Sequence, residues 1–157
     1  MASRTAVIQW YLDREGEVTY AQTKAKRCGP ESYDSASAMF SALIAGRFLP
    51  YGSGLGTMSL LVQLENVLLH EIRRNEIQAG DIFIAGFNRE HLSEHAYTGV
   101  ALDFHHVIYC IEDANGITRA TNHGWSNRSV RWYRLAEPID TNFKPSQRIS
   151  GKRVFVR

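Results

Sequence analysis

The chain has 157 residues, 44% of them hydrophobic and 22% charged, with a formal net charge of +2 and a pI near 8.6. That length fits a single folded domain spanning residues 1–157, and the composition is that of an ordinary globular chain rather than a disordered one. The basic balance is too mild to argue for nucleic acid, and no run reaches the roughly 18 apolar residues that a bilayer-spanning helix needs.

Two cysteines, Cys28 and Cys110, lie far apart and in no metal-type spacing, so free thiols are expected rather than a metal site or a disulfide scaffold. The opening MASRTAVIQWYLDREGE has no uninterrupted apolar stretch and no cleavage site. Synthesis in the cytoplasm without a signal peptide is therefore the expectation.

In chain order, Ala6, Val7, Trp10 and Tyr11 repeat at helical spacing and predict a first helix ending near Gly16. GEVTYAQ reads as a short extended piece, and KAKRCGPES as a turn broken at Gly29-Pro30. Asp34 or Ser35 opens a second helix running to Gly46, with Met39, Phe40 and Leu43 on its buried side and Gly46 as the residue just past its end. FLPYGSGLG is a loop. Thr57 caps a third helix whose apolar side runs from Leu60 to Leu69. The period then becomes strand-like: DIFIAG, TGVALDF, HVIYCIE, GITRAT, SVRWYRL and RVFVR all read as strands, and Asn115-Gly116 is a hairpin signal. Helices followed by an antiparallel meander predict an α+β domain.

Several of these segments, taken in order, carry a resemblance. AVIQWYLDREGEVTYA, GPESYDSAS, LIAGRFLPYGS, QAGDIFIAG, AYTGVALD and VIYCIEDANGIT resemble the phage and prophage peptidoglycan hydrolases of NlpC/P60 type. The resemblance covers nearly the whole chain. It implies a papain-like fold, with N-terminal helices packed on an antiparallel sheet, and a cysteine peptidase or amidase that cuts the peptidoglycan stem without a cofactor or metal. In such an enzyme a helix N-terminus favours the thiolate, a strand histidine takes its proton, and a polar residue on the next strand orients that imidazole.

This chain departs from the pattern at all three positions. Where the family writes the cysteine, Tyr33-Asp34-Ser35-Ala36-Ser37 holds Ser35; where it writes the first histidine, Ala96-Tyr97-Thr98-Gly99 holds Tyr97; where it writes the orienting residue, Ile108-Tyr109-Cys110 holds Tyr109. A serine without a base is a poor nucleophile, and a tyrosine hydroxyl is a poor base at neutral pH. His95 is the one candidate for a relocated base, although two strand residues separate it from Tyr97 by about 6.6 Å. Cys28 is a remote candidate for a displaced thiol. His91 with His95, and His105 with His106, are weak as metal pairs. Tyr33, Asp34, His123 and Trp125 are expected around the cleft, where aromatic rings with polar tips suit a ligand.

Three function classes follow. The first is a catalytically degenerate hydrolase-like domain that binds peptidoglycan, its fragments or a protein partner. The second is an active hydrolase, or one silenced by engineering at Ser35. The third is an inhibitor or immunity-type interaction module on the same fold. Tyr97 and Tyr109 favour the first and third. If the protein acts on a wall, phage lysis would suffice to release it.

Overall fold

The computed structural model describes residues 2–53, 56–126 and 129–136. The expected last strand, RVFVR, lies outside the described residues. Helix α1 (Arg4–Arg14) starts where the Ser3 hydroxyl accepts the Ala6 N–H at 3.1 Å, a side-chain cap for an otherwise orphaned donor. Two short parallel strands, β1 (Thr19–Tyr20) and β2 (Ser32–Tyr33), lead into helix α2 (Ser35–Ala45). Gly46 follows at φ −80°, and it is Arg47 that takes the left-handed turn at φ +66°. Gly46 is needed for closeness instead: a Cβ there would stand 2.6 Å from Val7 Cγ2.

Helix α3 (Met58–Val62) begins, as expected, with Thr57 as its cap, but it is one short helix rather than a run to Leu69. Asn66 adopts φ +65°, a conformation Asn tolerates, and donates its N–H to Leu69 O at 2.7 Å. Leu64, Leu68 and Leu69 are still buried, so their apolar pattern reflects the core rather than a helix face.

The remaining elements are β3 (Leu69–Ile72), β4 (Ile82–Asn88), β5 (His91–Ala101), β6 (His106–Ile111), β7 (Gly116–Thr121) and β8 (Val130–Leu135). They form one six-stranded antiparallel sheet in the order β3-β8-β4-β5-β6-β7. The meander is therefore confined to β4–β7, and β8 returns to insert between β3 and β4. The hairpin signal at Asn115-Gly116 holds, with both residues at positive φ.

Alternation along the strands gives the sheet two dissimilar faces. Ile82, Ile84, Val100, Ile108 and Cys110 pack with Trp10, Met39, Phe40 and Leu43 in the main core beneath the helices. Phe83, Ala85, Ala101, Val107, Val130 and Trp132 form a second cluster on the face away from the three helices.

Asp81 ties the layers together. It is fully buried and accepts from Arg4 Nη2 at 2.8 Å, Arg134 Nε at 3.0 Å and Nη2 at 2.8 Å, and the Gln78 N–H at 2.8 Å. Removing it would leave both guanidiniums without their shared acceptor. Asp81→Ala is expected to cost about 3 kcal/mol, read as a fall in the midpoint of urea unfolding with an unchanged slope.

Candidate functional site

The start of α2 is fixed by three sets of bonds. Asp34 caps the helix: its Oδ1 accepts the Ser37 N–H at 2.8 Å, and its own N–H donates to Ser37 Oγ at 3.0 Å. Arg27 grips the same carboxylate as a fork, at 2.6 Å and 3.2 Å, and also donates to Gly56 O at 2.7 Å. Bidentate guanidinium–carboxylate pairs of this kind are among the stronger side-chain contacts.

The third set belongs to Ser35. Its side chain is buried, and its Oγ accepts the Thr98 N–H at 2.7 Å while donating to Thr98 O at 3.1 Å. Pairing of β5 with β6 ends at Gly99–Tyr109, so one edge of β5 is bare at Thr98. The Ser35 hydroxyl takes the place that a neighbouring strand would occupy. Its proton and one of its two lone pairs are engaged by backbone.

A small cleft of about 130 Å³ opens beside this point, lined by Tyr20, Gln22, Arg27, Asp34, Ser35, Thr57, Met58, Glu94 and Ala96, among others. None of its lining residues is a histidine or a cysteine. Glu94 is the residue that sequence reasoning missed. It lies within a bulge: Ala85 pairs with Tyr97 but Phe87 pairs with Leu92, so β5 carries extra residues between them. Gly86 permits this at φ +103°, because a Cβ there would lie 2.6 Å from Ala96 Cα. Glycine inside a strand pattern is the signal that could have warned of the bulge.

The other expected site residues are distributed as follows. Tyr97 on β5 and Tyr109 on β6 come together, with ring centroids 5.7 Å apart. Tyr97 is the chain neighbour of the residue that holds Ser35, yet neither ring lines the cleft; both pack on the helix-free face around Phe83. Burial raises the hydroxyl pKa of each above the usual tyrosine value, and Tyr97 is pushed further by Tyr109. A tyrosine hydroxyl is already protonated at neutral pH, and burial moves both further from ionisation.

His95 is exposed and is not among the cleft residues; its neighbours Glu94, itself exposed, and Ala96 line the cleft instead. Tyr33 is corrected from cleft rim to core: it is 6% exposed and meets Trp10 edge-on at 5.0 Å. Asp34 does line the cleft, but its oxygens are committed to Arg27 and Ser37. His123 is exposed in the loop after β7, its ring 5.6 Å from His105. Trp125 joins the aromatic cluster with Tyr97 and Tyr109 rather than the Ser35 cleft. The adjacent pair separates as expected for a turn: His106 bonds Asp103 through Nδ1 at 2.8 Å while His105 packs on Phe104. Both cysteines are free thiols, Cys28 exposed and Cys110 buried.

Two outcomes follow. Ser35→Ala removes the side-chain acceptor of the Thr98 N–H and should cost about 1–3 kcal/mol, seen as a lower melting temperature; a rise would instead mark Ser35 as a strained functional group. Cys110 bonds Tyr33 O at 3.4 Å, and burial pushes its thiol up to about 12. A neutral-pH alkylating reagent should label Cys28 alone in the native protein and both thiols after denaturation.

Residues 3–142 match the family described as bacteriophage peptidoglycan hydrolase. A lysin of Pneumococcus phage Dp-1 is 28% identical over 154 residues, covering 92% of this chain and 49% of the relative. The chain thus spans about half the length of the curated relative it matches. No described helix is long and apolar enough to cross a membrane. With an α+β core, a capped α2 docked on β5 and a family match over most of its length, the chain belongs to the bacteriophage peptidoglycan hydrolase family.

Proposed function

We propose that this chain is a catalytically silent member of its family, built on an NlpC/P60-like, papain-type frame, and that it binds peptidoglycan without cutting it. The observation that carries this reading is the state of Ser35. A serine attacks an amide only when a base within hydrogen-bond reach removes its proton. Here that proton is directed at the Thr98 carbonyl at 3.1 Å, and the cleft lining contains no imidazole. Tyr97 and Tyr109, at the positions where the family pattern writes histidine and its orienting partner, stay protonated and turn their rings to the other face.

Binding follows from what is kept. The cap, the arginine fork and the docking of α2 on β5 preserve a folded cleft and the sheet beside it. Family membership and the likeness to a phage lysin support peptidoglycan as the ligand. The wall would be met after phage lysis releases the protein.

The test is sedimentation and turbidity on purified bacterial sacculi. The protein should co-sediment with sacculi and leave their turbidity unchanged. Clearing that disappears in Ser35→Ala would overturn the silence, and failure to co-sediment would overturn the binding.

A further inference from the structure

The face of the sheet away from the helices carries a group of rings that the cleft does not use. Phe83, fully buried, is its hub: the centroids of Trp125, Trp132, Tyr97 and Tyr109 lie 4.9, 5.6, 5.9 and 6.0 Å away. Trp125 and Trp132 stack at 6.3 Å with their planes 27° apart. The aliphatic members, Val107, Val130, Ala85 and Ala101, are buried beneath, whereas Tyr97, Tyr109 and Trp125 are half-buried and reach the surface.

Three further features point to a ligand. First, the platform is held rigid: Arg74 donates to Trp125 O and to Asn122 O, both at 2.8 Å, so the loop bearing Trp125 is anchored through its backbone. Second, Trp132 is 2% exposed, and its indole N–H has no acceptor among the described residues. A buried donor left unpaired costs free energy that a ligand oxygen can recover. Third, Trp132 also borders a groove of about 530 Å³ that Arg73, Arg74 and Arg131 line together with Glu71 and Glu76.

The exposed part of this surface is made of uncharged rings with hydroxyl or indole N–H tips. Flat rings take the C–H face of a pyranose, and their polar tips meet its hydroxyl and acetamido groups. Tyrosine and tryptophan are also common at protein interfaces; the match of residues 3–142 to the bacteriophage peptidoglycan hydrolases is what favours a wall sugar as the occupant. We propose that the helix-free face of the sheet, centred on Tyr97, Tyr109 and Trp125, is a saccharide platform that binds the N-acetylated sugars of the peptidoglycan glycan strand. This rests on the wall-binding reading above and names the part of the wall that is recognised. It also gives a reason for tyrosine at positions 97 and 109: the residues that replace histidine form part of a ring surface instead of a catalytic pair.

The experiment measures two probes, whole sacculi by co-sedimentation and an N-acetylglucosamine tetrasaccharide by tryptophan fluorescence titration. Trp125→Ala and Tyr97→Ala should each weaken both affinities at least tenfold. Tyr109→Phe, which removes only a hydroxyl, should weaken them about threefold. Tyr51→Ala, which removes a ring 97% exposed and outside the platform, should stay within twofold of the parent. Circular dichroism melts identify any variant that fails to fold, and Tyr109→Phe then decides. If sacculi bind and all three platform variants keep the parent affinity, the platform is overturned while wall binding stands. If sacculi bind but the tetrasaccharide does not, and released stem peptides compete, recognition of sugar is overturned in favour of peptide. If sacculi do not bind, the wall-binding reading and the platform both fall.

Discussion

Two hydrogen bonds between one serine hydroxyl and one backbone residue set the relation between the two layers of this fold. Strand β5 leaves the sheet with a bare edge at Thr98 because its pairing with β6 stops at Gly99. An unpaired strand edge that is buried needs partners, and Ser35 supplies both. That contact ties the first turn of α2 to β5, with the Asp34 cap and the Arg27 fork beside it, while buried Met39, Phe40 and Leu43 hold the rest of the helix on the sheet. The same contact points the serine proton at the Thr98 carbonyl. One group serves as a latch only while its proton is given to the backbone.

The two faces of the sheet divide the rest. The helix side is an apolar core, closed over by Trp10, Met39, Phe40 and Leu43. The other side is aromatic, with three rings left half-exposed. Tyr97 and Tyr109, on neighbouring strands, both turn their rings to the aromatic side. Burial then keeps both tyrosine hydroxyls protonated.

Much of this was legible from residue types alone. Asp34 before Ser35-Ala36-Ser37, and Thr57 before Met58, mark helix starts because their side chains accept backbone N–H groups that the first turn cannot satisfy. The β-branched and aromatic runs of DIFIAG, TGVALDF, HVIYCIE and GITRAT announced β4, the second half of β5, β6 and β7, and Asn115-Gly116 announced their last hairpin. What was not legible depended on distant pairing. The run from Leu60 to Leu69 has helical spacing, but β8 claims Leu69–Ile72 as a partner and Asn66 makes the turn. Tyr33 looked like a cleft residue until Trp10 covered it. Glu94 lines the cleft from within a bulge opposite Gly86, and the extra residues of that bulge are not encoded in alternation. His95, two residues from Tyr97, is exposed and outside the cleft lining.

The central claim is that the Ser35 hydroxyl is a structural latch and not a nucleophile. A fluorophosphonate reagent, which phosphonylates serine only where a neighbouring base activates it, reads this directly without any assumption about the natural ligand. Intact-mass measurement of the folded protein after prolonged exposure should show no adduct, with the same result for Ser35→Ala. A single stoichiometric adduct that maps to Ser35 and is absent from Ser35→Ala would contradict the account.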